Sequence, residues 1–323
     1  MTVTLREVDA VEVTVVVDNQ VDVLLGGADG VRRFPLTYDW ADRDGLVAEH
    51  GFSALVTVEA GGLRSSVLYD GGLSATALRR NLDVMQVDIT DLRAICISHG
   101  HADHHGGLEG LFQRHGRLHL PLLIHPDAWR DRKVVFPTGK EIHLPPPNAN
   151  DLEREGLSVV EERGPSVIID GCVLVSGQVD RTTGFEQGML SHMARTAGYG
   201  WEPDPLIRDD QNVVVNVRDR GLVVVSGCSH AGAVNVLHHA RALTGESRVA
   251  AFVGGLHLSG PLFEAIIPQT VDALSAIGAG LLVPSHCTGW RATHRLAAAM
   301  PEAFVQPSVG TVYRIAGADL QGP

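Results

Sequence analysis

The chain has 323 residues (34.5 kDa), 44% of them hydrophobic and 20% charged, which is enough apolar material to bury a core and excludes whole-chain disorder. Its 38 acidic residues outnumber 26 Lys and Arg, a formal net charge of -12 that repels phosphate backbones and anionic lipid, so neither nucleic acid nor a membrane is an expected partner. Sixteen histidines are the odd count, and their meaning depends on whether they are scattered or gathered.

Residues 1–9 show no basic segment leading into an apolar one, so no secretory signal is expected. Val11–Asp18 (VEVTVVVD) is a β-branched run that predicts a buried strand. From Gly26 to about Glu49 the composition is that of a loop, with Phe34, Leu36, Tyr38 and Trp40 available for packing. Ala54–Glu59 alternates as a strand, and Ser66–Tyr69 is another, ending at the turn signal Asp70-Gly71-Gly72. Leu73, Ala77, Leu78 and Leu82 share one helical face. Leu92–Ile97 predicts a strand running into a histidine cluster, Gly106–His115 a helix behind it, and Pro121–Ile124 a further short strand.

Between about 126 and 206 the pattern weakens. Pro145-Pro146-Pro147 suits neither a helix nor a central strand, and only short strands near 158–161, 167–169 and 173–175 precede an irregular loop. This stretch reads as a large insertion that covers a site. Regular order resumes with strands at Asn212–Val217 and Gly221–Val225, a helix from Ala231 to about Leu243, and a strand at Val249–Val253. A helix near Ile266–Ile277, strand Leu281–Val283, a helix from about Thr293 to Met300 and strand Thr311–Ile315 complete a single domain spanning 1–323. A loose echo runs through it: strand, Ser-His, glycines, helix at 94–108, and again at 222–237, which suggests two pseudo-symmetric halves with a site between them.

Ser98-His99-Gly100-His101-Ala102-Asp103-His104-His105-Gly106-Gly107 holds four His and one Asp in seven positions. Imidazole and carboxylate are the donors a borderline divalent ion such as zinc takes. At a strand end His99 and His101 can point the same way while Asp103 and His104 turn back in the loop, a geometry suited to two ions. A solvent-exposed His-rich loop would need neither the apolar strand before this cluster nor the helix after it. The cysteines (Cys96, Cys172, Cys228, Cys287) are dispersed and form no C-x-x-C pair, as in a reduced, cytoplasmic protein.

His99-x-His101-x-Asp103-His104 resembles the signature of the metallo-β-lactamase superfamily. Asp70-Gly71-Gly72, the strand ending at Cys228 and the strand ending at His286 are similar to its later motifs. Ser226-Gly-Cys-Ser-His230-Ala-Gly, Gly254-Gly-Leu-His257-Leu and Ser285-His286-Cys-Thr-Gly289 resemble a narrower branch, that of ribofuranosylaminobenzene 5'-phosphate synthase-like and dihydropterin-related metal-dependent hydrolases. The resemblance implies an α/β fold, an αββα sandwich with the insertion at about 126–206 as a cover. It also implies two divalent metal ions, Zn2+ first with Mn2+ or Fe as alternatives, held by about six side chains. His286 takes the place of the last ligand. A histidine usually found just before the strand pair at Asn212 is missing from Ile207-Arg-Asp-Asp-Gln, so the third ligand of the first ion is open between His230, the best replacement, His257 and an acid at Asp209 or Asp210. Cys228 stands where relatives carry a bridging acid or cysteine, and is either a thiolate ligand or a small buried hydrophobe. His257 is a ligand, a partner of one, or a proton donor to the leaving group. His192, His115, His119, His125, His238 and His239 read as structural or surface residues.

The chemistry implied is hydrolysis of a small-molecule ester, phosphoester or lactone by a metal-bound hydroxide, with Asp103 both ligating and orienting the nucleophile. Arg181, Arg195 and Arg208 could meet a phosphate, and the branch suggests a phosphorylated or pterin-like substrate. The alternatives are a redox or synthase enzyme on the same fold, with di-iron, and a ligand-binding protein with a degraded site.

Overall fold

Alternation along the strands sorts the apolar side chains into three buried layers. The computed structural model describes residues 2–35, 45–198 and 200–318; Leu36, Tyr38 and Trp40 lie outside them. In the middle layer Val11, Val13 and Val15 of strand Ala10–Val17, with Val56 and Val58 of strand Ser53–Ala60, meet Val213, Val215, Val223 and Val225 of strands Val213–Val217 and Gly221–Ser226. The opposite faces of the same sheets carry helices. Leu68, Ile95 and Leu122 pack under helices Ala75–Val84 and Leu108–His115. Val214, Val224 and Phe252 pack under Ala233–Thr244, Ile267–Ile277 and Trp290–Ala299. The result is the αββα sandwich. Because both faces of each sheet are buried, strands such as VVVNV are nearly continuous apolar runs.

Among the described residues one sheet has eight strands, from Ser158–Glu161 at one edge through Pro121–Ile124, Leu92–Cys96, Leu63–Tyr69, Ser53–Ala60, Ala10–Val17 and Val312–Ala316 to Val31–Arg32. The other has seven, including Val213–Val217, Gly221–Ser226, Val249–Gly255 and Leu281–Ser285 in that order. The segment from 126 to 206 divides its loyalties. Ser158–Glu161 extends the first sheet, Ser166–Ile168 and Val173–Val175 join the second, and the rest builds a four-stranded sheet from Trp201–Pro203, His192–Arg195, Arg132–Val135 and Glu141–Leu144. That small sheet is tied to the sandwich by Arg132, whose fully buried guanidinium donates to both oxygens of Asp209 (2.8 and 2.5 Å) and through Nε to Asp204 (3.0 Å).

In each sheet the strands next to the crevice run parallel: Leu63–Tyr69 with Leu92–Cys96, and Gly221–Ser226 with Val249–Gly255 and Leu281–Ser285. Ligands bind beyond the carboxyl ends of such strands. The loops that leave those ends begin at Asp70, Ile97, Gly227, Leu256 and His286, and the two halves of the sandwich each contribute. Among the described residues no helix is long and apolar enough to cross a membrane.

Candidate metal centre

Those five loops converge. His99 Nε2 lies 3.0 Å from His101 Nδ1 and 3.1 Å from His230 Nε2. Each such nitrogen can be a donor or an acceptor, and the outer partners decide which. Ser98 Oγ donates to the Asp70 carboxylate (2.7 Å), so it accepts from His99 Nδ1 (2.9 Å), which leaves His99 Nε2 as a bare lone pair. His192 Nδ1 donates to the Asp204 carbonyl (3.0 Å), so its Nε2 accepts from His101 Nε2 (3.0 Å), which leaves His101 Nδ1 bare. Burial, then the neighbouring imidazoles, holds His99 and His230 well below the ordinary histidine value; burial and His192 do the same for His101. Two buried imidazoles thus turn lone pairs, and His230 turns its Nε2, towards one point, an arrangement suited to a cation.

A second group stands beside the first. His104 Nδ1 donates to Asp70 (2.7 Å) and His286 Nδ1 to Asn19 Oδ1 (3.1 Å), so the inner Nε2 of each faces the Asp103 carboxylate, at 3.8 and 3.3 Å. His286 Nε2 is buried with no hydrogen-bond partner. His50, more exposed, also reaches Asp103, at 3.3 Å. Burial would lower His104, but Asp103 and Asp70 outweigh it and lift the imidazole to about 9. Burial would raise Asp103, and His104, His286 and His50 hold it well below the carboxylate range instead. Cys228 Sγ is 3.2 Å from His104 Nε2, and it can share a cation with His99 and His104 or with His230 and His257. It therefore stands between the two groups. Cys287 Sγ lies within the same reach of Cys228 and His286. The donors present, imidazole nitrogen with a carboxylate and thiols, fit divalent transition ions.

The backbone is bent to make this possible. Asp70, Ser229, His257 and His286 all have positive φ (61°, 54°, 47° and 47°), a conformation that costs a non-glycine residue about 1–3 kcal/mol and is held here by surrounding contacts. Gly100 passes so close to the neighbouring loop that a Cβ there would meet the Ala128 carbonyl oxygen at 2.1 Å. Its N–H donates to Asp209 Oδ2 (2.8 Å), so the Arg132–Asp209 pair also fixes the turn between His99 and His101. Asp210 accepts from Ala231 N (2.8 Å), and Arg181 donates to the carbonyls of His230, Ala231, Glu186 and Leu206, which together fix the His230 loop.

The structure brings together His99, His101, Asp103, His104, His230, His286, Cys228 and His257. The His257 ring lies against that of His230, tilted by 49° (ring centroids 4.3 Å apart), and its Nδ1 has no hydrogen-bond partner. Asp209 is turned away towards Arg132. Three participants went unassigned in the sequence: His192, read as structural or surface but buried against His101; His50; and Cys287, whose adjacency to His286 at a strand end was the available signal. Of the arginines considered for a phosphate, Arg181 is spent on carbonyls and Arg195 pairs with Asp131 (3.0 Å), while Arg208 lines a separate small cavity with Arg181 and Asp210.

Fold and donor set together define a metallo-β-lactamase centre. A sequence model described as the metallo-beta-lactamase superfamily matches residues 50–243, and the chain belongs to that superfamily. It is similar to 7,8-dihydropterin-6-methyl-4-(beta-D-ribofuranosyl)-aminobenzene-5'-phosphate synthase of Methanocaldococcus jannaschii, 27% identical over 299 residues that cover 90% of this chain and 98% of that one. A second, uncharacterized protein of the same organism is 27% identical over 276 residues, covering 83% and 94%. A crystal structure of a metal-dependent hydrolase of the beta-lactamase superfamily shares the fold, with a TM-score of 0.69 at 24% identity over 95% of this chain and 99% of that one.

Proposed function

We propose that the chain is a metal-dependent hydrolase of a small molecule, with a binuclear centre in which His99, His101 and His230 hold one ion and Asp103, His104 and His286 hold the other, Cys228 standing between them. The observation that carries this reading is the set of inward ring nitrogens: His99 and His101, whose outer nitrogens are tied to neighbours, present lone pairs to the crevice, and the inner Nε2 of His104 and of His286 face the same crevice beside the Asp103 carboxylate. The nitrogen-rich set with a carboxylate and thiols favours Zn2+ over Mg2+ or Ca2+, with Mn2+ and Fe next. Divalent ions bound in such a set supply Lewis acidity and make water a nucleophile near neutral pH. Asp103, held ionised by three imidazoles, orients the attacking water. His257, with a free ring nitrogen beside His230, delivers the proton to the leaving group. Four buried, unpaired cysteines suit a reducing, cytoplasmic setting.

A second reading is favoured by one observation, the similarity along almost its whole length to a protein named a synthase, which would place a synthase reaction on a phosphorylated, pterin-linked substrate at the same centre. Metal-loaded protein assayed against a phosphodiester, a phosphomonoester, a lactone and a thioester separates the two. Turnover of one member with close to two zinc ions per chain supports the hydrolase. No turnover of any member with metal fully bound sinks it, and visible absorbance from bound iron points to redox chemistry instead.

A further inference from the structure

Against the first donor group lies a cavity of about 420 Å³, and His230 and His257 are part of its lining. The rest of that lining is largely apolar, with Phe185, Leu256, Leu258 and Phe263 among it. Three more of its residues, Phe136, Leu190 and Leu262, are exposed by 36%, 75% and 57%. Large apolar side chains left in water and gathered at one opening mark a binding surface rather than chance. Among the described residues no Lys or Arg lines this cavity. Its one carboxylate, Glu186, is used up inside the fold, accepting from Val234 N, Asn235 N and the Thr183 hydroxyl. Two buried polar atoms on the lining have no partner, Ser191 Oγ and His257 Nδ1. An apolar chamber with a few convergent, unsatisfied polar groups is the form of a small-molecule subsite.

We infer that this cavity seats the apolar group of the substrate, an uncharged ester or lactone whose alkyl or aryl chain fills the chamber while its carbonyl lies at the His230–His257 end. The inference rests on the hydrolytic reading for which bond is cut. Water adds its oxygen to the carbonyl carbon, the acyl C–O bond breaks, the departing oxygen takes a proton from His257, and the proton that the water releases restores His257, giving an acid and an alcohol. A phosphorylated group has no cationic side chain to meet in this cavity, so the arginines considered for a phosphate leave the chamber to apolar chemistry.

Methyl ketones from butan-2-one to dodecan-2-one carry the carbonyl and the chain but cannot be hydrolysed, and their binding to the zinc-loaded chain is read by calorimetry. Affinity rises about fourfold per methylene until the chamber is full and then levels, with an increasingly negative heat-capacity change. Phe136→Asp with Leu262→Asp, at half-exposed positions, cuts the step to under about twofold at unchanged zinc content; Leu190→Asp, at the most exposed position, serves if the double variant does not fold. A flat series, or an unchanged slope in both variants, overturns the inference. So does a chain that sediments as a dimer, binds no ketone and becomes monomeric in the variants, which would make the patch a contact between copies. Parallel assays on p-nitrophenyl esters from acetate to decanoate separate the two readings: a ketone slope with no ester turnover removes the hydrolase and keeps the chamber, and turnover with no slope in either series does the reverse.

Discussion

The two donor groups stand side by side yet are built on opposite principles. The first, His99, His101 and His230, is all nitrogen, buried and neutral, with burial pressing each imidazole below its ordinary value. The second, Asp103, His104 and His286, is already charged: a carboxylate held ionised, facing an imidazole lifted to about 9. Their supports differ as well. The first leans on the small sheet, through His192 and the Arg132–Asp209 pair, and the second on the N-terminal half of the chain, through Asn19 and His50. Asp70 serves both, accepting from Ser98 N, Ser98 Oγ and His104 Nδ1, each at 2.7 Å. A neutral cage holds an ion only through the placement of its lone pairs, whereas the second group also offers the Asp103 carboxylate. The first group should therefore be the one that fails when its scaffold is disturbed.

The harshest break is His101→Ala, which removes one of the three proposed ligands of the first ion and leaves His99 and His230 without it. Metal content should fall from close to two ions per chain to close to one, and turnover by more than about 100-fold, beyond the range seen for partners that only orient ligands. Elemental analysis of the purified variant checks the first figure and steady-state rates the second. Two ions retained would mean the three imidazoles are not the first ion's cage.

Next is Arg132→Met, which strands Asp209 and Asp204 as buried carboxylates without their cation and should cost about 3–5 kcal/mol in denaturant unfolding. Burial would raise Asp209, and the Arg132 guanidinium outweighs it and holds the carboxyl below its ordinary value of about 4. Its contribution is therefore full above that ordinary value and is lost as pH falls from it through the lower value of the folded state. In the variant the burial acts alone and the carboxylates take protons more readily. The stability deficit should then be largest near pH 7 and shrink towards pH 4. A deficit independent of pH would mean lost packing, not stranded charge.

Orienting partners come third, and they test the asymmetry directly. His192→Ala frees the His101 ring, and Asn19→Ala frees His286 in the same way. Each should weaken one ion by about 10–100-fold, read as release to a calibrated chelator. The split prediction is that His192→Ala loosens only one of two ions, and that Asn19→Ala loosens the other by less, because Asp103 still holds it by charge. Equal losses in the two variants would erase the distinction.

How far this was legible in the sequence follows from what each part asks of its residues. Strands buried on both faces must be apolar throughout, so Ala10–Val17, Val213–Val217 and Gly221–Ser226 announce themselves, and the helices that cover them carry one apolar face each. The histidine motif is dense enough to be read locally. The small sheet was hidden because its strands are three or four residues long and read RKVV, EIHL, HMAR and WEP, too short and too charged for alternation to register. Arg132 has no partner nearby in sequence that marks it, and only the fold shows the two carboxylates around it. His192 stands in an irregular stretch far from the motif, and nothing beside it in sequence points to His101.

The smallest expected effect is also the most discriminating for the substrate. Arg208 is exposed and lines a cavity distinct from the apolar one, so Arg208→Ala should change stability by no more than about 0.5 kcal/mol and leave kcat/KM for an uncharged ester within about twofold. A phosphorylated substrate bound by the arginines would behave otherwise: a guanidinium on a phosphate makes a charge-assisted hydrogen bond, and its loss would raise KM about tenfold or more. Kinetics of the variant on an ester and on its phosphorylated counterpart therefore distinguish the sites. A loss confined to the phosphorylated compound would move the substrate to the Arg181–Arg208 side of the His230 loop, whereas no loss on either leaves the apolar chamber as the side from which the crevice is entered.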